Sequence, residues 1–379
     1  MARVRMHSPF LLLGALAALN SGCSSETYSV GKDRTADQRL ADFKPDAEQW
    51  AKLGYARDWT GFPAVTGSLP IQHILPGADS VAVLEAGSQL SILEAATGNR
   101  RAAAELANPL TRFVGLERDG DRVYAISEAE VFTVDAQTGI LRDRKHFEKI
   151  VSTPPARFGN LLICGSPSGE IMAHAATGAI GGVKTWGFGT GGAITRRPVL
   201  IGDIVGSVSQ SGAVVFLDAA TGGLQGRNSI YKGVEVDPVS DGTTMFIASD
   251  DQSVYGFSPY GGSMLWQYRT PHPLRVQPTA HAGRLYCAIP GEGLVAFDGP
   301  SGNVLWRCKG FADGVVVAIN RNRLLAFNGK QAALIDPDRG DILEQADLPG
   351  VRMLKPDAFV DGNLYVVTES GIVAKYLRR

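Results

Sequence analysis

The chain offers no catalytic constellation, and it also lacks an excess of charge of either sign. Thirty-seven Lys and Arg face 38 Asp and Glu, a net charge of -1. That balance leaves no basic footprint for nucleic acid, which is excluded as a partner. Metal-ligand spacing is missing too. Beyond the first 23 residues the histidines are His73, His146, His174, His272 and His281, and no H-x-x-x-H or H-E-x-x-H occurs among them, so surface or turn roles are expected. Long apolar runs are scarce, and the one near the start, Pro9 to Leu19, is too short to span a bilayer as a mature helix. Cysteine is rare: Cys23, Cys164, Cys287 and Cys308.

What the chain has in quantity is glycine, 45 residues, together with 44% hydrophobic residues, the composition of a globular, turn-rich protein. The stretch from Leu285 to Trp306 sets the pattern. Two apolar runs are separated by a Gly-containing tip, the second run ends in Asp298, Ser301-Gly302 follows, and a third run closes at Trp306. This reads as strand, turn, strand, turn, strand, with glycines free to take positive φ and an Asp able to accept backbone amides a few residues ahead.

The same turn recurs at Gly98, Gly139, Gly178, Gly222, Gly262, Gly302 and Gly340, spaced by 41, 39, 44, 40, 40 and 38 residues. Four places earlier stand Glu94, Asp135, His174, Asp218, Ser258, Asp298 and Asp336, five of them carboxylates able to close the turn. A period near forty suits four short strands and their turns, one blade of a β-propeller. Pro154, Pro198, Pro238, Pro278 and Pro356 precede the next Gly-rich turn. Proline cannot donate to a ladder and so belongs at strand starts or on the free inner edge of a blade.

Eight opening strands can be counted, starting near Ile71, Arg112, Ser152, Ile194, Val234, Val276, Gly314 and Met353. The eighth copy stops at Arg379 without its outer strand, which would leave a long unpaired edge. The segment Leu53 to Trp59 ends in Trp as the outer strands at Trp266 and Trp306 do, and is expected to complete blade eight. Cys287 and Cys308 then fall on strands two apart, about 9.6 Å from each other and beyond the ~7 Å that a disulfide tolerates. Buried free thiols are expected.

The chain divides into residues 1–23, 24–46 and 47–379. Arg3 and Arg5 ahead of the apolar run, and Ser21-Gly22 before Cys23, read as an export signal. Its end resembles the bacterial lipoprotein signal, although Asn20 stands where that pattern wants leucine. The resemblance implies lipidation at Cys23, and export follows either way. Residues 24–46 are polar with no sustained apolar period, a flexible tether. Between Ala47 and Trp59 a short helix or a strand is expected. Residues 47–379 form the eight-bladed all-β propeller of four-stranded antiparallel blades.

The run of Leu285-Tyr286, a Gly tip, Ala296-x-Asp298, Ser301-Gly302 and Trp306, repeated over 246–266 and, without the Trp, over 205–224, resembles the repeats of the pyrroloquinoline-quinone (PQQ)-like propellers. An exported single ring of this length is similar to the BamB family of outer-membrane assembly lipoproteins. That resemblance implies a non-enzymatic, periplasm-facing, lipid-anchored monomeric scaffold at the outer membrane. Its implied partner is a protein of the barrel-assembly machinery, and it implies no cofactor. The alternative is a quinone- or small-ligand-binding propeller, with or without dehydrogenase activity. Against it, the quinone enzymes look longer and often carry adjacent cysteines, and Asp135, Asp218, Asp298 and Asp336 would be spread around the ring, unable to meet at one metal.

Gly187-Phe-Gly189-Thr-Gly-Gly192 matches G-x-G-x-x-G, but a strand, not a helix, is expected after it, so it reads as an interblade loop. Asp250-Asp251 and Arg196-Arg197 fall at blade edges or loops, where recognition residues concentrate. Trp266 and Trp306 are expected to pack between blades.

Overall fold

Strands such as Ser80–Glu85 and Glu130–Asp135 are buried at every position, whereas Arg100–Glu105 and Lys184–Gly189 mix exposed and covered residues. A strand covered on both faces reads as a continuous apolar run, and one covered on a single face reads as an alternation. The computed structural model, which describes residues 36–43, 45–65 and 69–379, explains the difference. Eight four-stranded antiparallel sheets stand side by side, their innermost strands adjacent to one another about a central axis. The second and third strands of each sheet lie between two neighbouring sheets, and the fourth lies at the rim. Chain order is sheet order in seven blades: 71–105, 113–146, 156–189, 199–229, 239–269, 279–308 and 315–347.

The eighth blade is composite. Val351–Pro356, Leu364–Thr368 and Val373–Arg378 supply three strands, and Tyr55–Gly61 supplies the outermost, paired antiparallel with Val373–Arg378 from Tyr55↔Arg378 to Gly61↔Val373. The strand expected to close the ring does so. Both alternatives for the segment before it are realised in succession. Helix α2, Ala47–Lys52, is capped by Asp46, whose Oδ1 accepts the Glu48 amide at 2.8 Å, and the strand follows after Gly54 turns the chain at φ +79°.

Part of the segment expected as a tether over 24–46 is packed. Residues 36–42 form helix α1, Ala36–Asp42, and Phe43 is buried in the core of blades seven and eight. Arg39 anchors the helix by donating to the carbonyl of Pro63 at 3.0 Å and that of Gly371 at 3.3 Å. The packed part therefore begins before residue 47. A helix of about two turns held by one arginine and one phenylalanine leaves no apolar period to detect. The signal segment 1–23, including Cys23, lies outside the described residues.

In blades three to six the paired inner strands are short and late: Ala156–Phe158, Val199–Ile201, Val239–Ser240 and Thr279–His281. The starts expected near Ser152, Ile194, Val234 and Val276 are corrected accordingly. Each paired segment begins directly after a proline, which has no amide to give the ladder. Pro356 instead ends its strand, opposite Leu364.

The turn chemistry is as the spacing implied. In five blades the turn glycine's amide donates to the carbonyl four residues earlier, and Asp135, Asp218, Asp298 and Asp336 also accept nearby amides with their side chains. The tryptophans use those turns as seats. Trp306 Nε1 donates to the Pro337 carbonyl of the next blade at 2.7 Å, Trp266 to Gly299 at 2.7 Å, and Trp186 to Ala219 at 3.2 Å. Each indole lies on the next blade's positive-φ glycine, Gly340, Gly302 or Gly222, where a Cβ would sit 2.4 to 2.6 Å from the ring. Blade four lacks the Trp. At the equivalent place Gly226 lets the backbones meet directly, forming a parallel bridge to Gly261.

Candidate functional site: the charged belt of the central channel

A forty-residue period puts equivalent residues of successive blades at one height around the axis. Arg197, Asp237 and Gln277, each directly before its blade's proline, are such a set on blades four to six, and together with Glu117 of blade two and Arg157 of blade three they line a cavity of about 640 Å³. All but Arg157 bond to one another as a belt. Asp237 Oδ1 accepts the Arg197 amide at 2.8 Å, Gln277 Oε1 accepts the Asp237 amide at 3.0 Å, and Gln277 Nε2 donates back to the Asp237 carbonyl at 3.0 Å. These side chains occupy the amides that the free inner edge of each blade would otherwise leave unpaired.

Arg197 crosses the belt. Its Nε donates to the Pro155 carbonyl at 2.9 Å, and its terminal nitrogen reaches Glu117 Oε1, two blades away, at 2.6 Å. Arg157 pairs with Asp119 at 2.7 Å and donates to the Arg118 carbonyl at 2.9 Å. Lys355, on blade eight and so opposite blade four, stands close enough to both Glu117 and Arg197 for their charges to act on it. Burial raises the Glu117 carboxyl pKa above its ordinary value, and Arg197, Arg157 and Lys355 oppose that shift. Burial lowers the Lys355 ammonium, Arg197 lowers it further, and Glu117 opposes. The belt is thus an electrostatic unit in a partly desolvated space.

Of the residues singled out in the sequence, Arg197 alone belongs to this belt. Its neighbour Arg196 points elsewhere, paired with Glu235 at 2.8 Å. Asp251 is buried and structural, its Oδ2 accepting the Tyr255 hydroxyl at 2.6 Å and the Tyr231 amide at 3.2 Å, and Asp250 faces Arg275 at 3.9 Å. Gly187 and Gly189 belong to the outer strand Lys184–Gly189, and a loop with no helix follows to Pro198. The turn acids sit in separate blades. Among the described residues no group of three or more His, Cys, Asp or Glu is placed to hold a metal. Cys164, Cys287 and Cys308 are free and buried, and burial pushes the Cys287 thiol up to about 12. The rest of the belt was missed. Its visible trace is a polar residue directly before proline at forty-residue steps, Arg197-Pro198, Asp237-Pro238 and Gln277-Pro278.

Residues 210–378 match the family model described as Outer membrane protein assembly factor BamB. A search of curated proteins found no match. Among solved structures, BamB from Moraxella catarrhalis is similar at 17% identity and a TM-score of 0.63, over 80% of this chain and 93% of that one. The computationally designed Ika8 protein is similar at 13% identity and a TM-score of 0.70, over 85% and 99%. Sqt1 of Saccharomyces cerevisiae is similar at 8% identity and a TM-score of 0.65, over 85% and 99%. At these identities the structures share the propeller fold alone. The family-model match runs from just before the third strand of blade four to the last strand of the ring.

Proposed function

We propose that the protein is a periplasm-facing scaffold, anchored to the outer membrane through a lipid on Cys23, which holds a protein partner in the assembly of outer-membrane proteins. One observation carries this reading. In a four-stranded antiparallel blade, every connection from an outer strand to the next inner strand emerges on the same face of the ring. On that face Leu110, Ile150 and Tyr231 stand 93%, 59% and 84% exposed. Apolar side chains raised on the connections of a rigid wheel are what a protein interface requires at its centre. The match to the BamB family over blades four to eight supports the choice of partner class.

Three measurements test it. Photo-crosslinking from position 150 in cells, followed by peptide identification, is expected to capture a component of the barrel-assembly machinery. The triple variant Leu110→Asp, Ile150→Asp, Tyr231→Asp is expected to lose copurification with it while keeping the wild-type melting curve. Copurification undiminished in that variant overturns the assignment of the face. Mass spectrometry of the mature N-terminus tests the anchor, and an unmodified Cys23 refutes it.

A further inference from the structure

A two-residue turn joins the first two strands of blade seven, Val315–Asn320 and Arg323–Phe327. The first place of that turn is held by Gly120, Gly159 and Gly202 in blades two to four, at φ +56°, +56° and +63°, and by the small Ala282 at +47° in blade six. In blade seven it is Arg321, at φ +50°. A long side chain kept in the left-handed region is strained where glycine is not, and strain that persists points to a role. Arg321 does not stand alone. With Lys52, the last residue of α2, and with Arg323 it lines a cavity of about 140 Å³ between α2 and blade seven, and no acid lines that cavity. None of the three side chains has an ion-pair or hydrogen-bond partner among the described residues. The acids on the elements packed nearby do not engage them. Asp361 accepts the Arg321 amide at 2.8 Å and pairs with Arg378 at 3.2 Å, while Glu48 of α2 and Glu344, across the sheet from Leu334 of the cavity wall, form no ion pair with them. The carbonyls at the end of α2, whose partial charge would repel an anion, are also occupied. Those of Ala51, Leu53 and Gly54 accept from the Gly54 amide, Asn320 Nδ2 and the Arg379 amide, each at 2.9 Å.

We propose that this cavity is a phosphate site, the anion seated among Lys52, Arg321 and Arg323 and supplied by a free phosphate compound or by a phosphorylated lipid headgroup. Three uncompensated cations around one hollow favour a dianion over a single carboxylate, and the guanidinium fork matches two oxygens of one phosphate. The volume suits one such group, not a nucleotide. Asn320 sharpens the choice. It lines the same cavity, is only 2% exposed, and its Oδ1 has no hydrogen-bond partner among the described residues. A buried acceptor left unpaired is unfavourable, and the proton that a hydrogen phosphate retains near neutral pH would fill it. The site is separate from the proposed partner surface. A turn between first and second strands emerges at the end of the ring opposite to the connections that carry Leu110, Ile150 and Tyr231.

The test follows the amide NMR signals of Arg321, Asn322 and Arg323 in the full chain as inorganic phosphate replaces chloride at fixed ionic strength. Saturable shifts are expected, with a dissociation constant of about 1 mM or tighter. Arg321→Gly is expected to weaken binding by about tenfold, the effect of losing one charge-assisted contact, while glycine's freedom at positive φ keeps the turn intact. Arg323→Gln, with the same expected loss, serves if that variant does not fold. Sulfate has the shape and charge of the phosphate dianion but no proton for Asn320, and is expected to bind more weakly by about threefold or more. Cosedimentation with phosphatidylcholine vesicles that contain phosphatidate, lost in Arg321→Gly, assigns the headgroup as the source; phosphate binding without cosedimentation assigns a free phosphate compound. No saturable shift, sulfate bound as tightly as phosphate, or an affinity unchanged in the folded arginine variants overturns the proposal. Since the partner experiment reads the opposite face, failure of one leaves the other standing.

Discussion

Trp59 Nε1 donates to the carbonyl of Ala95 at 3.0 Å. Trp59 lies in the outer strand of blade eight and Ala95 in the turn region of blade one, so this bond spans the seam at which the ring closes. The indole rests on Gly98, whose φ of +75° opens a seat where a Cβ would come within 2.4 Å of the ring. Lys375 Nζ donates to the same carbonyl at 3.0 Å. The first strand is therefore fastened twice, by its ladder to blade eight and by its tryptophan to blade one.

Trp59→Ala is expected to destabilise the fold by about 3 to 5 kcal/mol, the usual cost of deleting a buried Trp side chain. The replacement removes both the packing on Gly98 and the bond to Ala95. Trp306→Ala removes the same contacts inside the ring and is expected to cost a similar amount. Chemical denaturation with a common m-value checks the pair.

The other side of blade eight has its own substitute. Blade seven has no turn between third and fourth strands of blade eight to seat against, because that fourth strand is Tyr55–Gly61. Helix α2 fills the place: Trp50 stacks on Tyr376 with ring centroids 3.8 Å apart, and Gln49 accepts the Asp347 amide of blade seven at 3.3 Å. Trp50→Ala is expected to loosen the seam between blades seven and eight by about 3 kcal/mol or more. Hydrogen exchange at the amides of Ile342–Asp347 is expected to rise more than in blade three.

His174 occupies the place that Asp holds in four other blades, but it is fully buried, both ring nitrogens lack a partner among the described residues, and its ring packs on Phe147 at 4.6 Å. Burial lowers its pKa to about 4; nearby Glu148 and Glu170 raise it, and Lys184 lowers it. The unfolded chain therefore takes up this proton at about pH 6.5 and the folded one only near pH 4. Stability from this group is complete above pH 6.5 and falls by about 3 kcal/mol as the pH drops to 4. His174→Asn is expected to remove that part of the slope, read as the difference between the two proteins' unfolding free energies across pH 4 to 7.

Cys164, Cys287 and Cys308 are expected to resist a thiol reagent in the native state and to react together on unfolding. Each is buried, and desolvation disfavours the thiolate that would attack. Rapid native labelling of Cys287 would contradict the packing of blade six.

What was legible in the sequence was local or periodic. The Asp-to-Gly turn needs only five residues, so Asp298 and Gly302 announced it, and its recurrence gave the blade count. Trp59 could be assigned to blade eight because Trp266 and Trp306 end equivalent strands. The inner strands were placed too early because extended chain before Pro198 or Pro238 looks like strand until the missing partner amide is considered. Helix α1 was hidden because its docking rests on Arg39 and Phe43, too few residues to create a period. Glu117, Arg157 and Asp237 lie on separate blades and meet only once the ring is closed, so most of the belt had no local signature.

Hydrogen exchange at the amides of Val373–Arg378 tests the account most directly, comparing the full chain with one that begins at residue 62. If Tyr55–Gly61 closes the wheel, these amides are as protected as those of Val304–Cys308 in the full chain and lose most of that protection in the shortened one. Equal protection in both would contradict the closure, and with it the eight-bladed ring on which the partner face and the channel belt depend.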